Sequence, residues 1–441
     1  QAIEFFLSLP DMERKSHGPA ARTMSLDSMR ALLKRLGNPE LGRKTAHLTG
    51  SKGKGSTSTF LTALLAKTAK TSLYTSPHLH SYRERICFDL KPVSEADFAR
   101  GAAALKESVL AEHESELGPI STFGAMTSLF FWLSREQNVD WQVVEVGLGG
   151  RYDGTNVFDT KELVIITAIS LEHTSLLGKS TLEIAENKAG IIRPGATVVL
   201  APQHDREIAP LIQSICKKEG ARFLDFASEY SIEASEFSRS SQSFMLRRNN
   251  AAARKFSIQM QGLHQLNNAA TAIAAIDLLF EDSFSEKDAA EALASASLPG
   301  RLELLQESPL LVVDGAHNGE SAEALVAALK RHYPGKNLHF LLAVNSDKNI
   351  AQILDAILPA SSRLIASRSQ SDKAMDPELI ASEASKRGKS CDVYSTSKEA
   401  LQKALESAAP DDLICATGSL YLVAEIREQV LGNSLKQFEH N

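Results

Sequence analysis

Short apolar runs rich in β-branched residues alternate along this chain with longer stretches in which apolar side chains recur at helical spacing. A mainly parallel α/β sheet, covered on both faces by helices, produces that alternation, because strands buried on both sides read as nearly continuous apolar text. Strands are predicted over 44–49, 141–146, 163–170 and 196–200, with a helix over 57–69. Ligands of such sheets collect at the carboxyl ends of the strands, and each of these runs ends in polar or glycine-rich residues. From 221 to 261 the text becomes polar, alternating and serine-rich, which predicts a small antiparallel subsheet. Helical pattern follows over 267–280, an acidic link over 281–286, and a second helix reaching 297. Leu298-Pro-Gly300 then punctuates the chain. A new βα series begins there, with strands predicted over 310–314, 338–344, 363–367 and 413–416. Two unequal domains are expected, 1–297 and 298–441.

The 441 residues suffice for two cores, and 43% hydrophobic against 23% charged residues is an ordinary globular balance. With 48 Lys and Arg against 54 Asp and Glu, the net charge is -6, so no general attraction to nucleic acid or anionic lipid is expected. Any anion site must be local. Cys87, Cys216, Cys391 and Cys415 are far apart, unlike a zinc cluster or a disulfide framework, which favours a reducing compartment. The apolar start carries Glu4 and soon meets Asp11, Glu13 and Arg14, unlike a secretory signal, and no run approaches the roughly 20 apolar residues of a membrane helix. A cytoplasmic protein is expected, an organellar location staying open because the chain begins with Gln1.

The strongest local signal is Gly50-Ser-Lys-Gly-Lys-Gly-Ser56 between a predicted strand and a predicted helix, the setting of a phosphate-binding loop. Its glycines let backbone N–H groups of Gly50, Ser51, Gly53, Gly55 and Thr57 curl around phosphate oxygens. Lys54 reaches the terminal phosphates, and the Ser56 hydroxyl suits Mg²⁺. The common Walker pattern has Ser or Thr directly after the lysine, whereas Gly55 stands here. Glu145 sits inside an otherwise apolar strand, where a lone carboxylate is expensive to bury, so a metal partner is expected. Asp314 and His317 end another buried strand and open a glycine-containing turn, the place for a site.

The Gly-Lys-Gly-Ser variant is the form used by the Mur ligase superfamily, and nearly the whole chain resembles one branch of it, the folylpolyglutamate and dihydrofolate synthases. Beyond the loop, the resemblance rests on Ser76-Pro-His-Leu79 with Arg83-Glu-Arg-Ile86, and on Val144-Glu-Val-Gly-Leu-Gly-Gly-Arg151 with Asp153-Gly-Thr-Asn156. It extends through Ile184-Ala-Glu-Asn-Lys-Ala-Gly-Ile191, Gly262-Leu-His-Gln-Leu-Asn-Asn-Ala-Ala270, Pro299-Gly-Arg-Leu-Glu303, Asp314-Gly-Ala-His-Asn318 and Gly418-Ser-Leu-Tyr-Leu422.

The resemblance implies a P-loop-containing first domain and a smaller, Rossmann-like glutamate-ligase domain. It assigns Ser56 and Glu145 to one Mg²⁺ and His173 to a second, with Lys188 as a carbamylated, hence anionic, metal ligand. Asn268, Arg301 and Asp314 would hold ATP, and His317 would stand near the reacting groups or glutamate. Ser76, Pro77, His78, Arg83, Gly154 and Thr155 would face the pterin-bearing substrate. Four positions depart from the family: Lys52 stands where Asn is usual, Glu172 where Asp is, Asn187 where Glu precedes the lysine, and Gly124 where Glu often follows Phe.

The implied activity is ATP-dependent ligation of L-glutamate to dihydropteroate, a folate, or both, through an acyl phosphate, by a monomer. A monovalent-cation requirement stays open. The loop alone would also suit a cell-wall Mur ligase, and a non-catalytic nucleotide-binding module is the alternative of another class. The Ser-Pro-His-Leu and Glu-Val-Gly-Leu-Gly-Gly motifs favour folate over the first, and the second leaves Lys188, His173 and the turn Asp314 to Asn318 unexplained.

Overall fold

The computed structural model describes residues 1–10, 26–281 and 283–432. Asp11, Glu13 and Arg14, on which part of the leader argument rested, and one residue of the acidic link therefore lie outside the described residues. Eight strands build the first sheet: β1 (Lys44–Thr49), β2 (Thr71–Tyr74), β3 (Ile86–Phe88), β4 (Lys91–Pro92), β5 (Trp141–Glu145), β6 (Leu163–Ile166), β7 (Thr197–Leu200) and β8 (Arg222–Asp225). Their order is β4-β3-β2-β5-β1-β6-β7-β8, with β3 alone running opposite to the rest. Strand β1 sits centrally, so the loop that follows it leaves the middle of the carboxyl edge.

Alternation along the strands sorts side chains to two faces. Ala46, Leu48, Val143, Leu163 and Ile165 join helices Lys54–Leu65, Leu263–Leu279 and Glu286–Ser295 in one core. Val144 and Tyr74 face helices Glu95–His113 and Thr122–Glu136, while Val164 and Ile166 face Thr181–Ala189 and Ile208–Glu219. Helix Lys54–Leu65 starts three residues earlier than the apolar pattern predicts, because the loop's own lysine and glycine form its first turn.

The expected subsheet is present as β9 (Tyr230–Phe237), β10 (Gln242–Arg248) and β11 (Arg254–Ile258), antiparallel throughout. A third sheet comprises β12 (Glu303–Glu307), β13 (Leu310–Val313), β14 (Asn337–Leu342), β15 (Ser361–Ala366), β16 (Asp392–Val393) and β17 (Asp412–Thr417), ordered β12-β13-β17-β14-β15-β16. Only β12 runs antiparallel in it. It has a core on each face. The mixed α/β class read from the sequence is the class observed. Among the described residues no helix is long and apolar enough to cross a membrane.

Candidate active site

The chain turns out of β1 through Gly50, at φ +148°, and enters helix Lys54–Leu65 through Gly53, at φ +86°. Both positions exclude a side chain: a Cβ on Gly50 would overlap the Thr167 hydroxyl, and one on Gly53 the Asn268 amide oxygen. The Ser51 and Lys52 N–H groups donate to the Ala168 carbonyl at 2.9 and 3.1 Å, and the Ser51 hydroxyl donates to the Ser170 carbonyl, pinning the loop to the end of β6. Thr57 N–H donates to the Gly53 carbonyl, closing the first turn. Helix geometry leaves the N–H groups of its first turn, Lys54, Gly55 and Ser56, without intrahelical acceptors, which makes an anion cradle, whereas the Ser51 and Thr57 N–H groups expected in it are taken by the Ala168 and Gly53 carbonyls. Lys54 Nζ donates back to the Gly50 carbonyl at 2.9 Å, so its ammonium stays over the loop.

Around this cradle the sheet edge gathers charge. Glu145, at the end of β5, is 4% exposed and accepts from Ser76 N–H at 3.2 Å. Burial raises its pKa to about 7, against the pull of Lys54. The Cβ position of Gly55 lies 3.6 Å from Glu145 Oε2, so the loop helix passes directly over the carboxylate. Lys188, on helix Thr181–Ala189, is 1% exposed. It donates to the Gly50 carbonyl at 2.9 Å and to Glu172 Oε1 at 2.8 Å. Burial, then repulsion from Lys54, lowers its pKa to about 8 although Glu172 opposes the shift. For Glu172 burial acts upward, but Lys188 and Lys54 outweigh it and leave the carboxyl lowered. His173 takes φ +44°, a backbone that costs a non-glycine residue strain and that gathers at functional sites. Burial, helped by Lys348, Lys188 and Lys54 and opposed by Glu172, lowers its pKa and so favours the neutral ring, the form that ligates metals.

The second half of the chain contributes the turn after β13. Asp314 accepts from Leu302 N–H and Ala316 N–H, both at 2.8 Å, which fixes Arg301 and the turn together. His317 Nδ1–H donates to the Gly315 carbonyl at 2.8 Å, leaving Nε2 as the acceptor of the neutral ring. Lys52 feels Glu320 and Arg301 from this side, and His317 feels Lys52, so the two halves meet at the loop. Asn268 donates to Gln265 at 3.0 Å and lies against Gly53, beside the cradle.

Other residues marked by the sequence lie elsewhere. His78 Nδ1 accepts from Arg85, and its ring packs on Tyr82 at 4.5 Å. Arg83 reaches the Val93 carbonyl and, at 3.8 Å, Glu95. Thr155 is wholly buried, its hydroxyl donating to Asp153 and accepting from His47. Gly154, by contrast, faces the Phe123 ring. At Gly124 a Cβ would point to Ile120 and Met29 rather than to the loop.

Sequence reasoning missed His80 and Arg427. Arg427, on helix Leu420–Leu431, donates to His80 Nε2 and to Glu303, while His80 Nδ1 faces Glu428 at 3.1 Å. These contacts fasten the Ser-Pro-His-Leu segment to the second half, and only the second histidine of the sequence His78-Leu-His80 hinted at them.

A metal would fit part of this donor set. Glu145 is a buried carboxylate with no basic side chain in ion-pair distance among the described residues, next to a loop serine, and oxygen donors of this kind suit Mg²⁺ completed by phosphate oxygens. No group of three His, Cys, Asp or Glu able to hold a metal by itself occurs among the described residues.

The chain matches the Mur ligase middle domain over residues 48–276 and the Mur ligase glutamate ligase domain over 300–420. It is 30% identical over 410 residues to a folylpolyglutamate synthase of Lacticaseibacillus casei, covering 91% of this chain and 93% of that one. A dihydrofolate synthase/folylpolyglutamate synthase of Bacillus subtilis is likewise 30% identical, over 92% and 94% of the two chains. Folylpolyglutamate synthase of Mycobacterium tuberculosis complexed with ADP superposes with a TM-score of 0.87 at 27% identity, covering 98% and 100%. A folylpolyglutamate synthase complexed with AMPPCP and folate superposes at 0.82 and 27%, covering 98% and 99%. The chain therefore belongs to the Mur ligase superfamily, in its folylpolyglutamate and dihydrofolate synthase family.

Proposed function

We infer that the chain is an ATP-dependent ligase that joins L-glutamate to a pterin-bearing carboxylate, dihydropteroate or a folate, through an acyl phosphate. The observation that carries this reading is the convergence of Lys54, Glu145 and the Lys188–Glu172 pair on one phosphate loop that the Asp314–His317 turn faces. Relatives of the same length are folylpolyglutamate and dihydrofolate synthases, and related structures are complexed with an ATP analogue or with folate.

In this reading residues 1–297 bind ATP and the acceptor, and residues 298–441 hold glutamate, the reaction taking place in the cytosol. The loop amides and Lys54 hold the β- and γ-phosphates, Asn268 lies at the nucleotide's base side, and Arg301 and Asp314 close on it from the second half. Ser56 and Glu145 would hold Mg²⁺, and His173 with a carbamylated Lys188 a second ion. Bound there, such ions neutralise phosphate charge that would otherwise repel the incoming carboxylate.

An acceptor carboxylate oxygen attacks the γ-phosphorus, and the bond to the ADP oxygen breaks, with Lys54 spreading the charge that builds on the leaving side. Glutamate's amine then attacks the acyl carbon. The carbon–oxygen bond to phosphate breaks, phosphate departs with the electron pair, and the amine's proton passes to a neutral base. We assign that role to His317 Nε2, which the bond from Nδ1–H to the Gly315 carbonyl leaves as an acceptor. Contact between the halves keeps water from the acyl phosphate.

ADP release measured with dihydropteroate, tetrahydrofolate and its monoglutamate, each with and without L-glutamate, tests the reading. Turnover that requires both the acceptor and glutamate, with a product heavier by one glutamyl residue, is expected. Turnover with neither present would sink it. The acceptor that gives the highest kcat/KM decides between first and later glutamate additions.

A further inference from the structure

His47 and Lys161 form a buried pair that the reaction above does not use. His47 lies in β1, whose neighbours Ala46 and Leu48 turn to the opposite core, and its ring is fully buried. Lys161 precedes β6 and is 4% exposed, yet among the described residues no carboxylate pairs with it. Two basic side chains without an acid are costly to bury, so their contacts carry the explanation.

Hydrogen-bond direction can be followed through the cluster. Asp153 accepts from Leu148 N–H at 2.8 Å and Thr155 N–H at 3.0 Å, so its carboxylate is an acceptor throughout. The Thr155 hydroxyl must donate to Asp153, and its oxygen then accepts His47 Nε2–H at 2.9 Å. That tautomer leaves His47 Nδ1 as an acceptor, and Lys161 Nζ donates to it at 2.8 Å. Lys161 also approaches Asn156 Oδ1 at 3.5 Å, where Arg193 donates at 2.9 Å, and Asn156 donates to the carbonyls of Arg151 and Gly190. Phe158 walls off the pair, its ring 5.3 Å from Lys161 Nζ and 5.9 Å from the His47 ring. The chain thus begins at Lys161 and ends on the Asp153–Asn156 loop. The charge of Asp153 acts on both Glu145 and Lys188, and Gly154 of the same loop is on the expected acceptor side.

We propose that Lys161 is a positioning residue for ligation: through His47 and Thr155 it sets the Asp153–Asn156 loop against the loop lysines and the acceptor. This rests on the ligase reading above. Burial holds both the lysine and the histidine well below their ordinary pKa ranges, which lets the amine serve as a donor within the apolar layer without a counter-ion.

Lys161→Met keeps length and removes the donor, whereas Lys161→Gln returns an N–H. Steady-state kinetics with the folate acceptor that the parent uses best, and ¹⁵N spectra of the histidine ring assigned by loss of the signal in His47→Gln, read the two ends of the chain. In the parent His47 is expected as the Nε2–H tautomer. In Lys161→Met the Nε2–H tautomer held by Thr155 is expected to persist while Nδ1 loses its donor and its ¹⁵N signal shifts, with KM for the acceptor up about tenfold and KM for ATP within about twofold, and Lys161→Gln is expected to recover most of both. Should Lys161→Met fail to fold, Thr155→Val breaks the same chain with Lys161 in place and is expected to raise the acceptor KM likewise. An unchanged acceptor KM in the folded variant, whatever the tautomer, overturns the inference alone. No turnover by the parent with any acceptor sinks the ligase reading and this inference with it.

Discussion

Lys188 Nζ lies 2.8 Å from Glu172 Oε1, inside a pocket that leaves the lysine almost wholly buried. Burial has already brought the amine to about 8, so a modest rise in pH yields the neutral form that attacks CO₂. With ¹³C-bicarbonate, a carbamate carbonyl signal is expected to grow as pH passes through about 8 and to be missing in Lys188→Met. Turnover of Lys188→Met is expected to fall by at least about 100-fold. A parent without that signal at any pH would keep Lys188 as an ammonium paired with Glu172, and the second metal position would go.

Glu145 makes stability and activity pull in opposite directions. Its folded pKa of about 7 lies above the ordinary 4.5, so between these values the folded state holds a proton that the unfolded state has lost. Stability of the ligand-free protein is therefore expected to fall as pH rises through that window, by up to about 3 kcal/mol, and to do so less in Glu145→Gln. Chemical denaturation at several pH values measures the slope. Glu145→Gln is expected to be the more stable protein above pH of about 7 and yet to lose turnover by at least about 100-fold, along with any Mg²⁺-dependent rise in Tm. Equal Mg²⁺ stabilisation of both proteins would remove Glu145 from the metal site.

How far the sequence was legible follows from burial and distance along the chain. Strands β1, β5, β6 and β7 are covered on both faces, so their residues had to be apolar, and the runs announced them. Strand β12 is half-buried, with Glu303, Gln306 and Glu307 in it, and gave no such run. The phosphate loop was readable because Gly50 and Gly53 are demanded locally by backbone shape. Lys161, His80 and Arg427 were not, because their partners are 114, 347 and 124 residues away and nothing in their neighbours signals the contact. Thr155 was read by its motif as facing substrate, whereas its side chain closes a bond chain inside the fold.

The two loop glycines differ from Lys54 in what their replacement should damage. Gly50→Ala and Gly53→Ala each combine a strained positive φ with overlap, against Thr167 and Asn268 respectively. A loss of about 2–4 kcal/mol of stability is expected for each, together with loss of nucleotide binding. Lys54→Ala removes one bond to the Gly50 carbonyl. It is expected to stay within about 1 kcal/mol of the parent in stability while losing turnover by at least about 1,000-fold. Undiminished activity in Lys54→Ala would take the loop out of the mechanism.

His80 offers a test of whether the two halves are held together at the acceptor segment. Its Nε2 accepts from Arg427, which also pairs with Glu303 at 2.9 Å, and Leu79 packs against Gly300. The same segment supplies Ser76 N–H to Glu145, so slack in it reaches the site. His80→Ala leaves Arg427 its acid but removes a buried acceptor, which should cost about 1–2 kcal/mol and lower Tm by about 2–4 °C. The acceptor KM is expected to rise by about three- to tenfold with kcat less affected, because the lesion loosens a binding segment rather than the phosphate loop. His80→Gln, which keeps an acceptor within reach of Arg427, is expected to fall between the parent and His80→Ala in both measurements. Matching losses in the two variants, or a drop in kcat at constant KM, would place the role of His80 elsewhere than in this clamp.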